Sequence, residues 1–168
     1  MVFTWVFLFG NAICIFPQTL KFNQESFNQN DAIGKELLMA FLRSKGHKPS
    51  ENSDKYGIDI ITEKDGKQYY WEVEMKSKRP WTCKEDFPFA SVSFLHRKAK
   101  WKDTPFWYVI ICKETNAAII CHSSNIFLER YKEKVRIFTE NRKGLDNFYR
   151  VPKDLCIFVP TKEFTNGI

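Results

Sequence analysis

The sequence lacks the signatures of several large classes of chemistry. It has no CxxC pair, no glycine-rich phosphate loop and no Gly-x-Ser-x-Gly elbow, which argues against redox dithiol, P-loop and nucleophile-elbow mechanisms. Histidines are few: His47, His96 and His122 do not fall into zinc-ligand spacing with the cysteines, and Cys121-His122 alone is a weak signal. The cysteines (Cys14, Cys83, Cys112, Cys121, Cys156) are odd in number, widely spaced and mostly set among apolar neighbours. They read as buried thiols of a reducing compartment, and the expected location is cytoplasmic. No Lys or Arg precedes Lys21, and Gly10-Asn11 interrupts the apolar run of residues 1–16. That run lacks the basic start of a signal peptide and falls short of the ~20 residues a membrane span needs. It is read either as a strand or helix packed on the domain or as an extension outside it, and no membrane partner is expected.

What is present is a chain of 168 residues, a length that suits one domain with its own core. Aromatic residues make up 16% of it, and the formal net charge is +6. The charge is concentrated. Between Lys76 and Lys102 eight basic residues stand against Glu85 and Asp86, so the whole excess lies in one segment. A basic stretch of this kind suits a polyanionic partner.

Residues 21–30, rich in Asn and Gln, read as a linker, which places an apolar N-terminal extension at residues 1–29 and a single domain at residues 30–168. Asn30 or Asp31 is placed to cap a helix running to about residue 45, with Ile33, Leu37, Ala40 and Phe41 on one stripe and Gly46 as its stop. A short strand at residues 47–51 is weakened by Pro49 and Ser50. Residues 56–62 and 68–76 are strand-like runs joined through Asp65-Gly66, a favoured two-residue hairpin turn. Residues 91–101 read as a short basic helix, residues 106–112 and 117–121 as strands buried mid-sheet, and residues 126–139 as a helix. Edge structure is expected near residues 148–152 and 156–159. The fold class is α/β or α+β with a mixed sheet.

A two-residue turn at Asp65-Gly66 sets Asp59 opposite Glu72 and Gly57 opposite Glu74. Side-chain alternation then gathers Ile58, Ile60, Tyr69, Trp71, Val73 and Met75 on an apolar face, and Asp59, Glu72, Glu74 and Lys76 on the other. Crowded carboxylates repel, and directly opposed like charges cost up to ~1 kcal/mol. Mg²⁺ answers that repulsion, since it prefers oxygen ligands and needs only one or two protein carboxylates beside substrate phosphate. Lys76 can neutralise a phosphate oxygen or orient water. The plainer alternative is a solvated, salt-bridged strand face. Three features together favour a site: Asp59 on the paired strand, the apolar opposite face, and the basic segment that follows.

These residues, Tyr-Gly-Ile-Asp59 followed across the hairpin by Glu-Val-Glu74-Met-Lys76, resemble the PD-(D/E)xK nuclease superfamily. The resemblance covers roughly residues 30–121, with Ile58 where the named proline would stand. It implies a restriction-endonuclease-like core, helix-strand-strand-strand-helix-strand around a central mixed sheet. It also implies a magnesium-dependent deoxyribonuclease, an endonuclease in the first instance, that hydrolyses DNA with a magnesium-activated water; Mn²⁺ is expected to substitute. By the same resemblance Asp59 and Glu74 bind metal, Lys76 assists the water, and Glu36 is the acid that the first core helix contributes to the metal site. Glu72 is secondary: a further ligand, a partner of Lys76, or an exposed residue. DNA contacts are expected from Lys78, Arg79, His96, Arg97, Lys98 and Lys100, for which the alternative is a solvated face. A homodimer would let so small a domain cut both strands. Two other readings stand beside this one, a non-catalytic nucleic-acid-binding module on the same fold and an unrelated α/β protein anchored through its N-terminal apolar run.

Overall fold

The computed structural model describes residues 24–166, apart from residues 55, 77–78 and 140–141. The apolar run of residues 1–16 lies outside them. Helix α1 (Gln24–Ser44) begins earlier than the capping residues suggested. Asp31, instead of capping the helix, forms an i,i+4 ion pair with Lys35 at 2.8 Å, and the Gln and Glu that precede it are good helix formers. The C-terminus is where the sequence sets it. Gly46 adopts φ 84°, its N–H reaches the carbonyl of Arg43, and His47 N–H reaches that of Leu42, the paired bonds of a Schellman ending that requires a left-handed residue.

Strands β1 (Lys48–Glu51), β2 (Ile60–Lys64) and β3 (Lys67–Lys76) form an antiparallel meander. Pro49 is tolerated because β1 is an edge. Asp65 and Gly66 both have positive φ, 51° and 71°, as a type I′ turn demands. Lys64 pairs with Lys67 and Ile60 with Trp71, the register predicted for a two-residue turn. On its other side β3 runs parallel to β5 (Trp107–Cys112), followed by β6 (Ala118–His122) and β9 (Ile157–Val159). The result is a mixed six-stranded sheet, β1-β2-β3-β5-β6-β9.

A second, three-stranded sheet takes in two segments for which the sequence suggested helices, and its central strand covers residues 148–152, where edge structure was expected. Residues 91–101 form β4 (Ser91–Leu95) and a 3₁₀ helix (His96–Trp101). Val92 and Phe94 are buried while Ser91 and Ser93 are half-buried, an alternation of period two that overrides the helical reading. The helix expected over residues 126–139 is likewise absent. Helix α2 (Ser123–Ile126) ends as it would begin, and β7 (Lys132–Thr139) pairs with β8 (Arg142–Pro152). Val135, Ile137, Phe138 and Thr139 are β-branched or aromatic, which suits a pleated surface. A one-turn helix α3 (Thr161–Phe164) follows β9. The domain is mixed α+β.

Helix α1 covers one face of the large sheet, with Leu38, Phe41 and Leu42 packed on Ile60, Trp71, Val73, Val109 and Ile111. The small sheet covers the other, with Val92, Phe94, Tyr149 and Val151 packed among Tyr108, Ile110 and Ile119. Both faces of β5 are therefore lined by core, whereas β3 gives Trp71 and Val73 to the first cluster and turns Glu72, Glu74 and Lys76 to its other face. Ile58 joins the second cluster, not the first, because it precedes β2 and strand alternation does not extend to it. Cys112, Cys121 and Cys156 are buried free thiols. Among the described residues no helix is long and apolar enough to cross a membrane.

Gly46→Ala tests the helix ending. An L-residue in the left-handed region costs about 1–2 kcal/mol, and in a chain of this size each kcal/mol lowers Tm by about 2–4 °C. Thermal denaturation followed by circular dichroism reads this directly; an unchanged midpoint would refute the assigned C-terminal geometry.

Candidate functional site

The ladder between β2 and β3 ends at Ile60 and Trp71. Beyond that point the carboxylate of Asp59 takes the next amide of β3, with Val73 N–H donating to Oδ2 at 3.0 Å. This bond fixes Asp59 beside the strand that carries Glu72, Glu74 and Lys76. Gly34 lets α1 approach closely from the other side: a Cβ there would stand 3.0 Å from Met75 Cγ. Between helix, strand and 3₁₀ helix lies a cleft of about 270 Å³ whose walls include Asp31, Asp59, Glu72, Glu74, Arg97 and Tyr108.

Of the residues expected at the site, Asp59, Glu72 and Glu74 line this cleft together. Glu74 accepts a hydrogen bond from the Tyr108 hydroxyl at 2.9 Å. Burial, then the charge of Glu74 and this bond, hold the Tyr108 phenol well above its ordinary pKa, so it remains a donor. The Lys76 ammonium lies 4.0 Å from Glu74 Oε2 and donates to the carbonyl of Ser93 on β4. The face that carries these charges is thus roofed by the small sheet instead of standing open.

Glu72 is the extreme case, with no exposed surface at all. Lys98 supplies its ion pair, while Oε2 has no hydrogen-bond partner among the described residues. Burial pushes the Lys98 ammonium below its ordinary pKa, and the charge of nearby Asp59 works against that shift. Lys98 was expected to contact DNA; it turns inward because a buried carboxylate is tolerable only when paired. Asp59 is raised above the usual carboxylate value, first by burial, against the Val73 amide, Lys98 and Lys35.

Glu36 does not line this cleft. It lies on the exposed face of α1, about 100° around the helix axis from Lys35. Asp31 of the same helix lines the cleft, joined to Asp59 through Lys35, whose ammonium is 2.8 Å from Asp31 and 3.8 Å from Asp59. Asp31 was legible in the sequence only as a cap, and Tyr108 was hidden in an apolar strand. Among the described residues no three His, Cys, Asp or Glu side chains converge closely enough to enclose a metal ion unaided.

The other expected contacts divide. Arg97 and Lys100 are exposed and line a second cleft, with Lys35 and Asp59, that continues from the first. Lys100 donates to the carbonyl of Tyr56 at 3.1 Å and lies over the Trp101 ring. The His96 ring stacks on Tyr149 with centroids 5.7 Å apart. Arg79 lies at a different cavity, beyond Lys76, and Lys78 is outside the described residues. No protein-family model and no curated protein sequence matches the chain.

Two stability measurements follow. Lys98→Met strands the Glu72 charge and is expected to cost about 3–5 kcal/mol, whereas adding Glu72→Gln in the same chain restores most of it; denaturant titrations in which the double variant is no better than the single would refute the pair. Asp59 has a raised folded pKa, so it favours folding when protonated, below the ordinary carboxylate pKa. That contribution is lost as pH rises through the folded value. Asp59→Asn is therefore expected to keep or raise Tm at neutral pH while converging with wild type in acid, and a lower neutral Tm would contradict this.

Proposed function

We propose that this protein is a metal-dependent nuclease that hydrolyses DNA phosphodiester bonds at the cleft between Asp59 and Glu74. The observation that carries the reading is the meeting of Asp59 and Glu74 at one cleft, with the Lys76 ammonium 4.0 Å from Glu74, next to a groove flanked by Lys35, Arg97 and Lys100. Fold order supports it as well. A helix, a three-strand meander, a crossover and a strand parallel to the third resemble the restriction-endonuclease-like core of the PD-(D/E)xK nucleases, with β4 and the 3₁₀ helix where a second core helix would stand.

The donor set fits a hard divalent cation. Asp59 and Glu74 are the carboxylates that would hold Mg²⁺ or Mn²⁺, above the unpartnered Oε2 of Glu72, and such an ion completes its shell with water and phosphate oxygen. When bound, it supplies Lewis-acid polarisation of the phosphate and lowers the pKa of water. The chain's own groups do the rest. Val73 N–H and Tyr108 OH hold the two carboxylates in place, and Lys76 neutralises charge on the phosphate undergoing attack. Arg97 and Lys100 position the backbone of the duplex without reading its sequence. A second copy of the chain would let a domain of this size cut both strands.

Two observations favour the binding-module alternative: Lys98 already neutralises Glu72, and Lys76 is engaged with Ser93. A single assay separates the two readings. Plasmid and branched DNA incubated with Mg²⁺ or EDTA are expected to be cut only with the metal, and Glu74→Ala or Lys76→Ala to lower the rate by about a hundredfold or more, the scale of removing a group that stabilises transition-state charge. Binding without cutting under every condition would establish the module instead.

A further inference from the structure

Lys76 stands at the boundary between two cavities. On one side is the acidic cleft, reached through Glu74 at 4.0 Å. On the other, between the large and small sheets, lies a cavity of about 360 Å³, within the range of about 300–1,000 Å³ typical of small-molecule pockets. Its lining is chemically one-sided. It presents the aromatic side chains of Trp81, Phe87 and Phe89 and the cations of Lys76, Arg79 and Arg150, and no carboxylate.

The aromatic wall is held in position from behind. Trp81 and Phe87 meet edge to face at 5.4 Å, and Phe87 and Phe89 at 5.6 Å. The loop that carries them is tied by Asp86, which accepts from Thr82 N–H, Thr82 OH and Cys83 N–H at 2.7–3.0 Å. Phe89 remains 43% exposed, and the Arg79 guanidinium lies over its ring, 5.1 Å from the centroid. A planar ring entering here would meet aromatic surface, and an anion attached to it would meet ammonium and guanidinium groups. An aromatic anion matches both features, and a nucleotide is one.

We infer that this cavity takes an unpaired nucleobase, with the adjoining phosphate on Lys76 and Arg79, so that the preferred substrate carries an unpaired nucleotide beside the bond to be cut. The inference rests on the nuclease reading for the position of that bond, but base capture itself needs no catalysis. A paired base cannot reach the cavity without leaving its stack. A base already unpaired, as in a bulge, flap or single strand, enters without that penalty.

The test is carried out in EDTA with the full chain. Fluorescence anisotropy compares a duplex bearing one bulged nucleotide with a fully paired duplex of the same length. The bulged duplex is expected to bind roughly tenfold tighter, the scale of one base stacked on an aromatic side chain. Phe89→Ala is expected to abolish that margin while leaving paired-duplex affinity unchanged, and Phe89→Tyr to keep it. A 5-iodouracil at the bulge should photo-cross-link to the peptide spanning residues 79–89, and one in paired sequence should not. Equal affinity for the two duplexes, or cross-links confined to other peptides, would overturn the inference. Magnesium-dependent cutting without base capture would leave the nuclease reading standing and remove this one; base capture without cutting would do the reverse.

Discussion

Glu72 is fully buried in a strand paired on both sides, and the ammonium of Lys98 makes its charge tolerable there. Much of the site's arrangement follows from that pair. It draws the 3₁₀ helix down onto the large sheet, places a cation next to Asp59, and leaves Arg97 and Lys100 as the exposed charges of the same turn. An apolar pair of equal size would serve folding as well or better. Retaining two charges and an unpartnered oxygen at the floor of a cleft is the kind of cost that functional sites carry.

The two faces of β3 divide the labour. Trp71 and Val73 fasten the strand to α1, with the Trp71 indole donating to Thr62 Oγ1 at 2.9 Å. This anchors the backbone from which Glu74 and Lys76 project on the opposite face. Each of these is then steadied by a group from a different element, Tyr108 of β5 for the carboxylate and Ser93 of β4 for the ammonium. Asp59 is held by β3 itself. A geometry that depends on packed strands is more precise than one carried on loops.

Local rules were readable where local chemistry decides the outcome. Gly46, Asp65-Gly66 and the apolar runs of β5 and β6 announce their structures because a positive φ or a fully buried strand admits few alternatives. The hairpin register followed from the turn, and with it the grouping of Glu72 and Glu74. What the sequence did not reveal depends on contacts between distant segments. The Ser91–Leu95 strand exists because β8 pairs with it, and isolated propensity had no access to that partner. Lys98 looked like one more surface cation until its position over Glu72 was known. Glu36 and Asp31 differ by five places on one helix, and only the docking of that helix decides which of them faces the cleft.

The roof over the acidic face has a further consequence, for the chain during its synthesis. Strand β4, which gives Lys76 its carbonyl partner and walls the aromatic cavity, pairs along its length with β8, Ser91 opposite Pro152 and Leu95 opposite Phe148. The ribosome delivers Asp59, Glu74 and Lys76 well before it delivers β8. A nascent or truncated polypeptide therefore holds every charged group of the site without the roof that orders them. The order of the site thus waits on residues 142–152, although its charged groups are all in the chain before them.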